Sequence, residues 1–172
     1  TNHYIKQLSE TEQLIQNVEI IPLEVVVRNI AAGSFSKRLA IPEGTPLKSP
    51  IVEFYYKNDE LDDPMVIDAH ILALELATAE ELTQLRQKAL AVGEALTELF
   101  DSIDITLVDF KLEFGRQKDG SILLADEVSP DTCRLWDKQT NEHLDKDIYR
   151  RDLGDIIPVY QEVLNRLEKR GE

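Results

Sequence analysis

Leu107–Glu127 reads LVDFKLEFGRQKDGSILLADE. Apolar Val108, Phe110, Leu112 and Phe114 alternate with Asp109, Lys111 and Glu113, the period-2 pattern of a strand with one face on a core and one face wet. Lys118-Asp119-Gly120 follows, and Asp-Gly signals a hairpin because both positions tolerate positive φ. Ile122–Asp126 is then expected to run back antiparallel. A two-residue loop at Asp119-Gly120 sets Lys118 opposite Ser121 and Glu113 opposite Asp126. Facing carboxylates repel, and a divalent cation between them would remove the repulsion. A solvated charged face, with Lys111 partly neutralising its neighbours, is the other reading of the same pattern.

Working outward, Thr78 and Glu81 form a capping box that opens a helix running to Phe100, whose Leu82, Leu85, Ala89, Leu96 and Leu99 supply an apolar stripe to cover a sheet. Helix beside strands predicts an α/β (α+β) layer arrangement. Upstream, the β-branched run in Val18–Ile30, VEIIPLEVVVRNI, predicts a buried strand. Pro22 cannot donate to a ladder, which suits an edge, a bulge or a point of free backbone. Arg28 ends this strand, and Ala31-Ala32-Gly33-Ser34 leads into a short helix over Phe35–Leu39, with Ser34 its expected cap. Ser9 and Glu12 form a second capping-box pattern, predicting a helix over about residues 10–16. Ile41–Ser49 reads as loop, Ile51–Lys57 as an edge strand, and His70 as a packed or exposed histidine in a short helix. A final helix covers about Asp155–Arg170.

The chain has 172 residues, enough for one core with room for a second partial lobe. The formal charge of −14 disfavours nucleic acid and anionic membranes as partners, while leaving room for a small anion at a local basic cluster. Neither a signal-peptide pattern nor an apolar run of membrane-spanning length occurs, and the single Cys133 cannot form an internal disulfide, which points to a reducing cytoplasm. Asp126–Arg134 combines carboxylates, a turn and an arginine, and it leaves the strand bearing Asp126, so Asp131 and Arg134 are expected at one cleft. Asp145–Arg151 reads as a solvated charged face, and Trp136 as packing.

IIPLEVVVRNIAAGS (Ile20–Ser34) and LVDFKLEFG (Leu107–Gly115) resemble the two signature segments of SAICAR synthetases, and ADEVSPDTCRLWD (Ala125–Asp137) and LDKDIYRRDLG (Leu144–Gly154) resemble later segments of that family in the same order. The resemblance implies a SAICAR synthetase-like α/β fold related to kinase-like and ATP-grasp-like folds. It also implies an ATP- and Mg²⁺-dependent ligase of purine biosynthesis joining carboxyaminoimidazole ribotide to L-aspartate. Phosphoryl transfer from ATP, most simply giving an acyl phosphate, would prepare the carboxylate for the aspartate amine. By resemblance, Asp109, Glu113 and Asp126 border the metal and triphosphate, with Lys111 stabilising the transferring charge. Arg28, Ser34, Asp131 and Arg134 hold the ribotide, Lys146 and Arg150 contact phosphate or aspartate, and Glu24 and Val25 lie at an adenine-binding hinge. The family's N-terminal lobe carries a Gly-Lys-x-Lys segment that this sequence lacks, so residues 1–172 are expected to cover the hinge and the C-terminal part. A kinase-like phosphotransferase and a fragment that only binds ligand are the competing readings, and the assembly is left open, a homodimer included.

Overall fold

A computed structural model describes residues 1–170. In chain order it contains β1 (Tyr4–Gln7), β2 (Gln13–Ile15), β3 (Glu19–Ile30), α1 (Gly33–Leu39), β4 (Pro46–Tyr56), β5 (Met65–Val66) and α2 (Asp68–Ala73). Then come α3 (Ala79–Asp101), β6 (Ile105–Arg116), β7 (Ile122–Ala125), β8 (Cys133–Asp137), α4 (Asp147–Arg150) and α5 (Ile156–Arg170). β1 and β2 form a two-stranded sheet; the other strands follow the order β5-β4-β3-β6-β7, with β8 also pairing β6. The mixed α/β fold is the expected one. Among the described residues no helix is long and apolar enough to cross a membrane.

The chain divides into two compact units. Unit 1 comprises Thr1–Val25, Glu53–Lys88 and Leu112–Glu127, and unit 2 comprises Val26–Val52, Ala89–Lys111 and Val128–Glu172. In unit 1 the core is built from Ile21, Leu23, Phe54, Ile71, Leu82, Leu85, Leu112 and Phe114, all essentially fully buried. The α3 capping box forms: the Glu81 N–H donates to Thr78 Oγ1 at 3.2 Å and the Thr78 N–H to Glu81 Oε2 at 2.8 Å. Arg116 ties β6 to the first turn of α3 through Glu81, 2.5 Å from Nε, and through the Leu76 carbonyl, 3.0 Å from Nη2.

The hairpin forms, but its register differs from the expected one. Glu113 pairs with Ala125, Gly115 with Leu123 and Arg116 with Ile122. The Gln117 N–H donates to the Ser121 carbonyl and the Gly120 N–H to the Gln117 carbonyl, so the loop is Lys118-Asp119-Gly120, with Gly120 at φ +84°. This three-residue loop, a tight turn followed by a left-handed glycine, shifts the register by one from a two-residue loop. Asp126 therefore lies past the end of β7, exposed and at φ +54°, and the facing Glu113–Asp126 pair does not form.

Residues 10–16 are not helical either. Ser9 and Glu12 close the β1–β2 turn, with the Leu8 and Ser9 N–H groups donating to the Glu12 carbonyl at 2.9 and 3.2 Å. The short segment carries too little apolar periodicity to offset helix nucleation. Pro22 lies within β3, between β4 and β6, rather than on an edge, and its carbonyl accepts from the Lys57 N–H at 3.1 Å. β4 begins at Pro46, inside the expected loop. Among the described residues its outer neighbour is the two-residue β5, which pairs with Phe54 and Tyr55, so Pro46, Lys48 and Pro50 occupy open edge where missing donors are tolerated.

In unit 2, Val27, Phe110, Ile105, Leu107, Leu135 and Val163 are buried, and Ile30 packs on a cluster of Ala32, Val108 and Trp136. β8 pairs β6 antiparallel, Leu107 with Leu135 and Asp109 with Arg134, with an irregularity between Leu107 and Asp109. Cys133 is buried, as a structural residue should be. The Trp136 indole N–H donates to His143 Nδ1 at 3.1 Å.

Candidate functional site

β6 carries its charges inside. Asp109 and Glu113 are 3% and 4% exposed, where the period-2 pattern predicted a wet face. A buried carboxylate survives only with partners, and the two residues obtain theirs differently.

Asp109, in unit 2, lies between two arginines. Arg28 Nη1 donates to Oδ2 at 2.8 Å, and Arg134 Nη1 donates to Oδ1 and Oδ2 at 3.0 and 2.9 Å. Burial pushes the Asp109 carboxyl up, and Arg134 and Arg28 oppose that push. Arg28 is buried, donates from Nη2 to Ser34 Oγ at 3.3 Å, and lies over the Phe35 ring. Ser34 is thus an acceptor for Arg28 and not the expected helix cap; the cap position of α1 is Ala32, with no side-chain bond.

Arg134 reaches a second carboxylate, its Nε donating to Asp147 Oδ2 at 2.9 Å, while Arg150 Nη1 donates to Asp147 Oδ1 at 3.0 Å. Burial lowers the basicity of Arg134, but Asp109 and Asp147 more than offset it, so its charge is fixed. Burial likewise opposes ionisation of Asp147, and Arg134 and Arg150 overcome it, holding the carboxyl below its usual range. Gly33 makes room for this arrangement. It sits at φ +53°, and a Cβ there would come within 2.5 Å of Arg134 Nη2, so both backbone and space exclude a side chain. Beside the network, Lys146 Nζ lies 2.7 Å from Asp131 Oδ1, and the Tyr160 hydroxyl donates to the same oxygen at 3.4 Å. Burial and Asp131 push the Tyr160 hydroxyl up to about 12.

Of the expected site residues, Arg28, Ser34, Asp109, Arg134 and Arg150 are therefore joined in one network, and Asp131 and Lys146 form a pair in the same unit. Lys111 also belongs to unit 2, and its backbone N–H donates to the Thr132 carbonyl at 2.8 Å. Glu24, Val25, Glu113 and Asp126 fall in unit 1. Val25 is fully buried and Glu24 half-buried, and Glu113 Oε2 accepts from the Lys57 ammonium.

The expected metal set of Asp109, Glu113 and Asp126 needs revision at Asp109, because guanidinium donors engage both of its oxygens. Among the described residues, one group of three can bring ligand atoms within 4.8 Å of one another: His143, Asp145 and Asp147. It does not fit a cation. Asp145 accepts the Leu135 and Asp147 N–H groups at 2.8 and 2.7 Å, Asp147 holds arginines, and His143 Nδ1 accepts from Trp136. Burial pushes the Asp145 carboxyl up to about 6.

Sequence reasoning missed this part of the site. Asp145 and Asp147 are 0% and 2% exposed, where LDKDIYRR read as a solvated face. The available signal was their spacing. Asp145 and Asp147 lie on either side of the start of α4, where one carboxylate can accept the N–H of the other.

The sequence matches the SAICAR synthetase family over residues 1–167. It is 64% identical over 166 residues to a phosphoribosylaminoimidazole-succinocarboxamide synthase of Enterococcus faecalis, an alignment covering 96% of this chain and 70% of that one. Among solved structures, a synthase of the same name from Ehrlichia chaffeensis superposes with a TM-score of 0.94 at 54% identity, covering 97% of this chain and 72% of the other. A SAICAR synthetase in complex with ADP gives 0.94 at 48%, covering 96% and 71%.

Proposed function

The chain belongs to the SAICAR synthetase family, and from that premise we propose that it is an ATP-dependent ligase joining carboxyaminoimidazole ribotide to L-aspartate, giving SAICAR, ADP and phosphate. The observation that carries the site assignment is the Arg134 guanidinium, held by Asp109 on one side and Asp147 on the other. A planar fork fixed in this way suits phosphate or carboxylate. Arg134 and Arg150 keep 20% and 45% of their side chains exposed and share the Asp147 carboxylate, so both are open to one ligand anion. Arg28 is buried but lies against the exposed Ser34 hydroxyl, so it orders Asp109 and Ser34 at the edge of the ribotide site. Asp131 and Lys146, each about a third exposed, offer an acceptor for ribose hydroxyls and a donor for an anion.

Residues 1–172 would supply the hinge and the C-terminal part of the family architecture, and the chain spans about 70% of the length of the relatives it matches. Glu24 and Val25 would meet the adenine, and Lys111 the transferring phosphoryl group. Mg²⁺, by neutralising the triphosphate, would let phosphoryl transfer activate the ribotide carboxylate. Two carboxylates fit it. Asp126 is exposed, without a cationic partner among the described residues, and Glu113 already faces a cation in the Lys57 ammonium. The Asp109 carboxylate does not fit and is assigned to the arginines.

The test is ADP release with ribotide, L-aspartate, ATP and Mg²⁺ supplied together and singly omitted. Release that requires both ribotide and aspartate is expected. Release without aspartate would identify a phosphotransferase instead.

A further inference from the structure

Family resemblance gives Asp147 no role, yet no other carboxylate of the network touches as many arginines. Besides Arg134 Nε and Arg150 Nη1, Arg151 Nη2 stands 3.6 Å from its Oδ2. Its own place is fixed from behind: the Asp147 N–H donates to Asp145 Oδ1, and the other oxygen of Asp145 accepts the Leu135 N–H of β8. Asp145 is completely buried, so this anchor is shielded from water. The chain of contacts runs from the β8 backbone to Asp145, to the Asp147 backbone, and through its carboxylate to two partly exposed guanidiniums.

We propose that Asp147 is a positioning residue of the ribotide site, holding Arg134 and Arg150 so that their unengaged N–H groups are presented to one anionic group of the ligand. Resting on the functional reading above, this assigns the orientation of its arginines to a residue that never meets the ligand. Arg134 uses Nε on Asp147 and Nη1 on Asp109, leaving Nη2 beside Gly33 with no protein acceptor among the described residues. Arg150 spends Nη1 on Asp147 and retains its other donors. Long arginine side chains lose rotamer freedom when they bind a ligand. Fixing two of them beforehand removes that loss from the binding step.

A merely structural role for Asp147 predicts something different, and a double-mutant cycle separates the two. The ribotide dissociation constant is measured by calorimetry for the parent, Asp147→Asn, Arg134→Ala and the double variant. Each single change is expected to weaken binding at least about 10-fold, or 1.4 kcal/mol, and the double variant to bind clearly tighter than the product of the two losses, because Asp147 acts through Arg134 as well as through Arg150. Losses that multiply in the double variant, or an Asp147→Asn chain that binds like the parent, would overturn the proposal. Should Asp147→Asn fail to fold, Asp147→Glu carries the same cycle, since it keeps the charge and displaces it by one methylene. A parent that does not bind the ribotide defeats the functional reading itself; a parent that binds beside an unaffected Asp147 variant defeats only this inference.

Discussion

The two units differ in how they carry charge. Unit 1 has 6 Lys and Arg against 17 Asp and Glu, a net −11, and unit 2 has 13 against 16, a net −3. Their buried carboxylates differ in the same sense. Glu113 in unit 1 accepts from the Lys57 ammonium, whose side chain is 42% exposed. Asp109 and Asp147 in unit 2 share Arg134 and are flanked by Arg28 and Arg150. A net charge of −14 argues against polyanionic partners for the whole chain, but it is an average over a strongly acidic unit and a nearly balanced one in which Arg134 and Arg150 stay partly exposed. Whole-chain charge therefore disfavours a class of partner without locating a ligand.

The contrast can be broken at either end. Asp109→Ala leaves buried Arg28 and half-buried Arg134 without their shared carboxylate, and the expected loss is about 3–5 kcal/mol of stability, measured by urea unfolding. A loss below about 1 kcal/mol would mean that the network is not a structural unit. Asp137→Asn comes next. The Thr140 N–H, the Arg166 guanidinium and the Gln139 N–H hold Asp137 down to about 2. With an unfolded value near 3.9, the stabilisation is fully present above about pH 4 and lost as pH falls towards 2, so the variant loses about 2 kcal/mol at pH 7 and little at pH 2. Asp145 runs the other way. Its carboxyl, pushed up by burial, penalises the fold above about pH 6, and that penalty lifts as pH falls from 6 towards 4. Parent stability followed from pH 7 to pH 5 should carry this opposing contribution, and Asp137→Asn should keep it.

Smaller effects are expected in unit 1 and on the surface. Thr78→Ala removes one half of the α3 capping box, costing about 1 kcal/mol by thermal unfolding with no change in ribotide affinity. Glu43→Gln removes the partner of Arg151, an exposed pair 2.7 Å apart, and should cost under about 1 kcal/mol. A larger loss there would extend the buried network to the surface.

The sequence showed β3, β6, β7 and α3 because their residues repeat at 2 or 3.6, and motif resemblance singled out Arg28, Ser34, Asp109, Arg134 and Arg150, which one network joins. It did not show which charges are buried. Arg28 and Asp109 lie 81 residues apart, and Arg134 and Asp109 lie 25 apart, so no local period encodes either pair. Asp145 and Asp147 looked like the rest of a charged run because burial is a property of what β8 places beside them. The hairpin register failed at a single residue: Asp119-Gly120 fits a two-residue turn and also ends a three-residue loop, and Glu113 meets Ala125 only in the second.

The central claim is that an anion site sits on Arg134. Calorimetric titration of the parent and Arg134→Ala with carboxyaminoimidazole ribotide, with and without Mg²⁺, tests it most directly. The prediction is binding by the parent that weakens by about 10-fold or more in the variant, roughly 1.4 kcal/mol; equal binding by the two would contradict it.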